Sequence, residues 1–369
     1  MKAAVIGPFP PFRGGIAQFS LRLLQVLRKE YPQDEFIPVS YSRLYPSLLF
    51  PGTSQIQPEG YSKDLKTMDW IDSTNFFSWP VTRRRIRNLD PDRIILQWWH
   101  PFFAPCLMGA VPPEIPACAV CHNVIPHESF PLAGRLAGRF LRRMSTVVVH
   151  GKSDLEEAGS LKLEARLLKL YHPIYDQYGK PESDTGASKQ ELGYSRDTSL
   201  VLFFGLVRPY KGLLDLIRAM DSLPRDIQLL VVGECYADRK EILDSIRDLD
   251  LADRVRWIDR FVPDDEVSVF FNAADVVALP YRNATQSGVA QIALSFNKVM
   301  VLTNTGGLSE LLDEGSTGYM AEPWSPSSLA SSVEKAIDLA RDPKATARIQ
   351  KKASEFSWKN YAQQLISVI

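Results

Sequence analysis

Apolar residues arrive in short runs, and most runs are followed by a stretch with helical spacing. In the first half AAVIG, EFIPVS, RIILQWW, ACAVCHN and TVVVHG read as buried strands. In the second half SLVLFFG, IQLLVVGE, VRWIDRF, DVVALPY and VMVLTNT repeat the habit. Between the first two runs, Gln18 to Lys29 sets Phe19, Leu23, Val26 and Leu27 on one helical face. Buried strands alternating with amphipathic helices predict an α/β fold, with parallel sheets covered by helices on both faces. Residues 41–74, rich in Tyr, Pro, Ser and Gly, break the alternation and are expected to form long loops.

The pattern breaks again at DQYGKPESDTGASKQELGYSRDTS, a polar stretch that reads as a linker plus a short helix. A chain of 369 residues is too long for one ordinary core, so the two series predict two doubly wound domains. The closing FSWKNYAQQLISVI reads as a short amphipathic helix, and no internal repeat is visible.

Composition changes this picture little. Lys+Arg and Asp+Glu both count 43, so overall charge argues for neither nucleic acid nor membrane as a partner. No signal peptide is expected from MKAAVIGP, and no run approaches the roughly 20 apolar residues of a spanning helix. Four cysteines suggest no disulfide framework and fit a reducing cytoplasm. Cys118, Cys121 and His122 superficially resemble a metal site, but they lie in a strand and no second pair completes a tetrahedron.

Ligands of doubly wound sheets bind outside the carboxyl ends of the strands, so the residues after each run matter most. After the first strand, PFPPFRGG ends in Gly14 and Gly15, which suit either a tight turn or close approach of a ligand to a helix N-terminus. After SLVLFFG, Arg208 and Lys211 stand in a loop and Gly212 opens a helix, an arrangement suited to a phosphate or diphosphate. After DVVALP, Thr285, Gln286, Ser287 and Gly288 form a polar turn before an apolar helix from Val289 to Phe296. Ser287 can cap that helix, and capping and anion binding draw on the same free N–H groups. Gly306-Gly307 and Glu310 follow the last strand as a turn and a helix-start carboxylate.

His122 ends ACAVC, where it can make a structural hydrogen bond or face the cleft expected between the domains. Trp98, Trp99 and His100 close another strand, as core or as a platform for a sugar ring. In PLAGRLAGRFLRRMS, Arg135, Arg139, Arg142 and Arg143 alternate with Leu132, Leu136, Phe140 and Leu141. At helical spacing this is a basic amphipathic helix, lying on anionic lipid or turning its apolar face to the core.

In their order and spacing, PPFRGGI, CHN, FGLVRPYKG, LLVVGE, DVVALPY, the SGV turn and VLTNTGGLSELL with GSTGYM resemble the retaining GT-B-type glycosyltransferases of family 4. The resemblance covers nearly the whole chain and is densest from Leu200 to about Ala340. It implies two Rossmann-like domains with a cleft between them and a C-terminal helix crossing back. Residues 1–178 plus 357–369 would form the acceptor side and residues 179–356 the donor side. Gly14 and Gly15 would then face the donor diphosphate and the reacting centre, and His122 the transferred sugar. Lys211 matches the diphosphate lysine, and Ser287, Gly288 and Val289 match the backbone that holds phosphate and sugar.

Two departures stand out. The position of the family's diphosphate arginine holds Leu206, with Arg208 two residues on as a substitute. The Glu-x7-Glu motif is missing: Thr285 or Gln286 stands near its first carboxylate, and Gln291, Ile292 or Ala293 near its second. Gln286 and Gln291 can bond hydroxyls without charge. The resemblance implies transfer from a UDP- or GDP-sugar, with no metal or other cofactor, to a saccharide or polyprenyl-linked acceptor in polysaccharide or glycoconjugate assembly. Its setting would be the cytoplasm, with peripheral contact to anionic membrane. A non-catalytic nucleotide-sugar-binding subunit is the alternative the missing glutamates suggest. A nucleotide-sugar 2-epimerase would need acid/base carboxylates, of which no convincing set is seen.

Overall fold

The structure is a computed structural model and describes residues 1–45, 56, 65–125, 132–182, 184–284 and 287–369. The chain folds as two units: residues 1–171 with 358–369, and residues 172–357. Against the sequence boundary at 178, the first division falls after Tyr171. The reason is apolar packing: Ile174, Tyr175 and Tyr178 lie against the core of the second unit.

The first unit holds strands β1 (Lys2–Ile6), β2 (Glu35–Arg43), β3 (Met68–Asp72), β4 (Arg93–Trp98), β5 (Ala117–Cys121), β6 (Thr146–Val149) and β7 (Arg166–Lys169). They form one parallel sheet in the order β3-β2-β1-β4-β5-β6-β7. Alternate residues of β1 serve opposite faces, as strand geometry requires. Ala4 and Ile6 join one core with Leu96, Trp98 and Phe140. Ala3 and Val5 join another with Phe19 and Leu23 of the helix Gly15–Glu30 and with Trp358, Tyr361 and Leu365 of the terminal helix Trp358–Ile366. That burial ties the last helix to the first unit.

The second unit holds β8 (Ser199–Phe204), β9 (Ile227–Val232), β10 (Val255–Ile258), β11 (Val276–Leu279), β12 (Val299–Thr303) and β13 (Gly318–Ala321), in the order β10-β9-β8-β11-β12-β13. All pairs are parallel. In each unit the strand order reverses once, between β1 and β4 and between β8 and β11. Such a switch point is where doubly wound sheets take their ligands.

Five elements refine the sequence reading. Within the stretch expected to be loop, β2 runs on to Arg43 and β3 forms at the sheet edge. The edge strand β7 and the short β13 are also additional. Finally, the basic helix Ala133–Leu141 turns Ala137, Phe140 and Leu141 into the core, with Phe140 stacked on Trp98 at 4.7 Å. Phe140 and Leu141 are thereby spent on packing, while Leu136 is half-buried and Leu132 is exposed.

Candidate functional site

In the second unit the loops after β8 and β11 converge. Gly205 ends β8 at φ +98°, and Gly212 follows the one-turn segment Pro209–Lys211 at φ +68°. A side chain at Gly212 would put its Cβ 2.0 Å from the carbonyl oxygen of Pro280, so only glycine lets this turn lie against the β11 loop. The turn directs Lys211 inward. Its Nζ lies 3.0 Å from where a Cβ on Gly205 would stand, beside Val289, and 5.6 Å from the Tyr281 ring centre.

Lys211 is only 9% exposed and makes no ion pair among the described residues. Burial, reinforced by the charge of Arg208, lowers its pKa to about 8. An ammonium desolvated without a carboxylate is costly unless something anionic completes it.

The helix Gly288–Ser295 starts in the same place. Ser287 Oγ accepts from Ala290 N at 3.3 Å and lies 3.3 Å from Tyr281 Oη, so the capping role read from the sequence is present. The first N–H groups of this helix supply a positive helix end near Lys211. Gly288 has Tyr175 against it, 3.0 Å from a would-be Cβ. Gln291 is buried at 1% exposure, and neither atom of its amide has a hydrogen-bond partner among the described residues. Buried amides are rarely left so, and a bound hydroxyl would satisfy it. Thr285 and Gln286 lie outside the described residues. Leu206 is 36% exposed, while Arg208 lies over Tyr236 at 5.6 Å and acts on Lys211 electrostatically.

Sequence reasoning missed what holds the turn. Asp215, nearly fully buried, accepts from Arg282 Nε at 2.8 Å and from Nη2 at 2.9 Å. Arg282 also donates from its backbone N to the carbonyl of Tyr210 at 2.7 Å and stacks 3.9 Å from the Trp324 ring centre. This fork bolts the Lys211 turn to the loop that leads to Ser287. A carboxylate in the first turn of an apolar helix was the available signal.

In the first unit, Gly14 caps the helix Gly15–Glu30 at φ +111°, with open space around its would-be Cβ. The close backbone approach is instead at Gly7, where a Cβ would meet Gln97 Cγ at 2.7 Å. Gly15, exposed, opens the helix. His122 ends β5 half-buried, its Nε2 2.8 Å from Gln97 Oε1 and its ring edge-on to Phe19 at 4.7 Å. Beside it, His150 Nε2 lies 3.0 Å from Tyr361 Oη, with the two imidazole centres 5.6 Å apart. Gln97, His150 and Tyr361 were not singled out in the sequence, although a lone Gln inside RIILQWW is a visible anomaly.

Other candidates fall away. Trp98 is fully buried with Nε1 bonded to the Val124 carbonyl, and Trp99 is bonded to Tyr45, so both are core and no sugar platform. Cys118 and Cys121 are buried, which raises the first thiol to about 12 and the second well above its usual value. Neither is poised as a metal-binding thiolate. Glu310 sits in a one-turn 3-10 segment, Leu308–Leu311. Among the described residues no helix is long and apolar enough to cross a membrane.

Comparison with known proteins bears on the fold and on the second unit. Residues 184–356 match the family "Glycosyl transferases group 1". A lipopolysaccharide 1,2-N-acetylglucosaminetransferase of Salmonella typhimurium is 30% identical over 190 residues, 48% of this chain and 49% of that protein. A D-inositol 3-phosphate glycosyltransferase of Corynebacterium diphtheriae is 29% identical over 51% of this chain and 46% of its own length. These alignments thus span about half of each relative. Among solved structures, Anabaena Alr3699/HepE in complex with UDP superposes with a TM-score of 0.71 at 19% identity, covering 100% of this chain and 99% of that one. A glycosyltransferase from Rickettsia africae gives 0.72 at 14% identity, covering 100% and 97%. The fold, two Rossmann-like units in tandem, is GT-B. Residues 184–356, which carry Arg208, Lys211 and the Ser287 turn, are similar to the group 1 glycosyl transferases.

Proposed function

We propose that the chain moves a sugar from a nucleotide-diphosphate donor, such as a UDP- or GDP-sugar, to a hydroxyl of a saccharide or lipid-linked acceptor, with retention at the anomeric carbon. One observation carries this reading: Lys211 is a buried ammonium beside Arg208, without a carboxylate among the described residues, at the switch point of the second unit. As the sugar–phosphate bond breaks, negative charge grows on the departing diphosphate. Lys211, Arg208 and the free amides at Ser287, Gly288 and Val289 stabilise that charge where it develops. These fixed positive groups can do the work otherwise given to a divalent cation. His122, held by Gln97, serves the transferred sugar, Gln291 offers its amide to a donor hydroxyl, and Gly14 with Gly15 leaves room for the reacting centre. The relatives' names support sugar transfer to saccharide and inositol phosphate acceptors in those proteins. We place the reaction in polysaccharide or glycoconjugate assembly in the cytoplasm.

Donor-hydrolysis and transfer assays with a panel of nucleotide sugars and a lipid-linked acceptor extract test the reading. Turnover of one donor at the expense of the others is the expected result. A second reading, a nucleotide-sugar-binding subunit without activity, is favoured by the absent Glu-x7-Glu motif. Donor binding without either hydrolysis or transfer would select it.

A further inference from the structure

Gln97 is the odd residue of β4. Leu96 and Trp98 on either side are apolar and fully buried, and Gln97 itself is 1% exposed. Strand alternation puts it on the face of the sheet where Ile95 packs with Val5, Phe19 and Val120. In that apolar layer its amide nitrogen is left unmet: Gln97 Nε2 is buried with no hydrogen-bond partner among the described residues. A buried amide satisfied at one end only costs stability, and an apolar residue of similar size avoids that cost. Packing therefore does not account for a glutamine here.

The other end of the amide does. Gln97 Oε1 lies 2.8 Å from His122 Nε2. A carbonyl oxygen can only accept, so Nε2 of His122 carries the hydrogen and donates it. The backbone brings the two side chains together. Gln97 stands opposite Val120 in the β4–β5 ladder, and His122 N donates to the Trp98 carbonyl at 2.8 Å, which carries the ladder one residue past β5. Two further contacts keep the groups from turning. The Phe19 ring stands edge-on to the imidazole, 4.7 Å between centres at 89°. Gly7 gives Gln97 its room, since a Cβ there would come within 2.7 Å of Gln97 Cγ and 2.9 Å of Ser20 Oγ. All of these residues belong to the first unit.

We infer that Gln97 is a positioning residue that holds His122 in its Nε2–H tautomer. In a neutral imidazole a hydrogen on one nitrogen leaves a lone pair on the other. Nδ1 is then an acceptor, and a group that meets it must donate, as a sugar hydroxyl can. On the proposed sugar transfer, on which this role rests, His122 faces the sugar as a hydrogen-bond acceptor.

The tautomer is read without substrate, from long-range proton–nitrogen correlation spectra of the isotope-labelled full chain, which holds five histidines. The His122 signals are those lost in His122→Ala. At a pH where this imidazole is neutral, wild type should show Nε2 protonated and Nδ1 bare. Gln97→Leu fills the layer without an acceptor, so it should populate both tautomers while its melting temperature stays level or rises. Its turnover in the transfer assay should fall by more than roughly tenfold. A protonated Nδ1 in wild type, a tautomer unmoved by Gln97→Leu, or a shifted tautomer with unchanged turnover would overturn the inference. So would a Gln97→Leu chain that melts lower or fails to fold, which would make Gln97 a structural residue. Wild type with the expected tautomer and no turnover would sink the sugar-transfer reading and leave the assignment of the tautomer to Gln97 standing.

Discussion

The two units use one topology and fill their switch points with opposite chemistry. The second unit sets a buried lysine, an arginine and a helix N-terminus around one spot, all positive. The first sets His122 and His150, just after β5 and β6, with Gln97 of β4 and Tyr361 of the terminal helix, four polar side chains of which none carries a permanent charge. Strand order alone therefore decides where a ligand goes and says nothing about which ligand. On the proposed function a diphosphate would belong with the positive set, and a sugar, rich in hydroxyls, with the neutral one.

The contrast breaks most severely if the scaffold of the positive set is cut. Asp215→Ala should leave the half-buried Arg282 without the carboxylate it forks and cost about 3 kcal/mol of stability, because a charged donor loses its partner. Denaturant unfolding reads this directly. A loss below about 1 kcal/mol would show that the fork does not hold the turn.

Lys211→Ala comes next. Losing one charge-assisted contact should weaken nucleoside diphosphate binding by on the order of 1.5–3 kcal/mol while leaving the matching nucleoside unchanged. Equal loss for both ligands would remove Lys211 from the phosphate. The pH dependence follows from its pKa of about 8 against an ordinary 10.5. Between these values the unfolded chain holds the proton more tightly than the folded one, so this group's cost to stability, full below pH 8, is relieved as pH rises. A bound diphosphate raises the folded pKa again. Calorimetry near pH 8–9 in buffers of different ionisation enthalpy should therefore detect proton uptake on binding.

His122→Ala tests the neutral set. Turnover should fall by more than roughly tenfold, the low end for a lost catalytic contact, with little change in melting temperature. A variant that unfolds, or that keeps full activity, would return His122 to a packing role against Phe19 and Gln97.

The two sets also differ in how far the sequence revealed them. The positive set is local: Gly205, Arg208, Lys211 and Gly212 lie within one loop, and positive-φ glycines mark it in any sequence. The neutral set is assembled at long range. Gln97 reaches His122 across 25 positions and Tyr361 reaches His150 across 211, and no periodicity reports such contacts. The buried strands were legible because both faces are apolar. The edge strands β3 and β7 were not, since MDWID and RLLK leave most side chains partly exposed and carry no apolar run. The basic helix was ambiguous for a different reason. A stripe of Leu and Phe under arginines looks the same whether it faces a core or a lipid, and only Trp98 stacked on Phe140 decides.

The smallest effect sharpens the comparison at Ser287, where capping and ligand binding compete for one explanation. Its hydroxyl accepts from Ala290 N and so stabilises the helix whether or not a phosphate is bound. Ser287→Ala should cost about 1 kcal/mol of stability, while Ser287→Gly should cost only a few tenths, because glycine is itself a tolerable cap. Both variants lack the hydroxyl equally. If the hydroxyl meets the diphosphate, both should lose nucleoside diphosphate affinity by the same factor despite their different stabilities. If only the backbone amides hold the ligand, affinity should stay near wild type in both, since those amides survive either substitution. Affinity that instead tracks stability, falling for alanine and not for glycine, would mean that helix order controls the site and that Ser287 acts on the phosphate only through its cap.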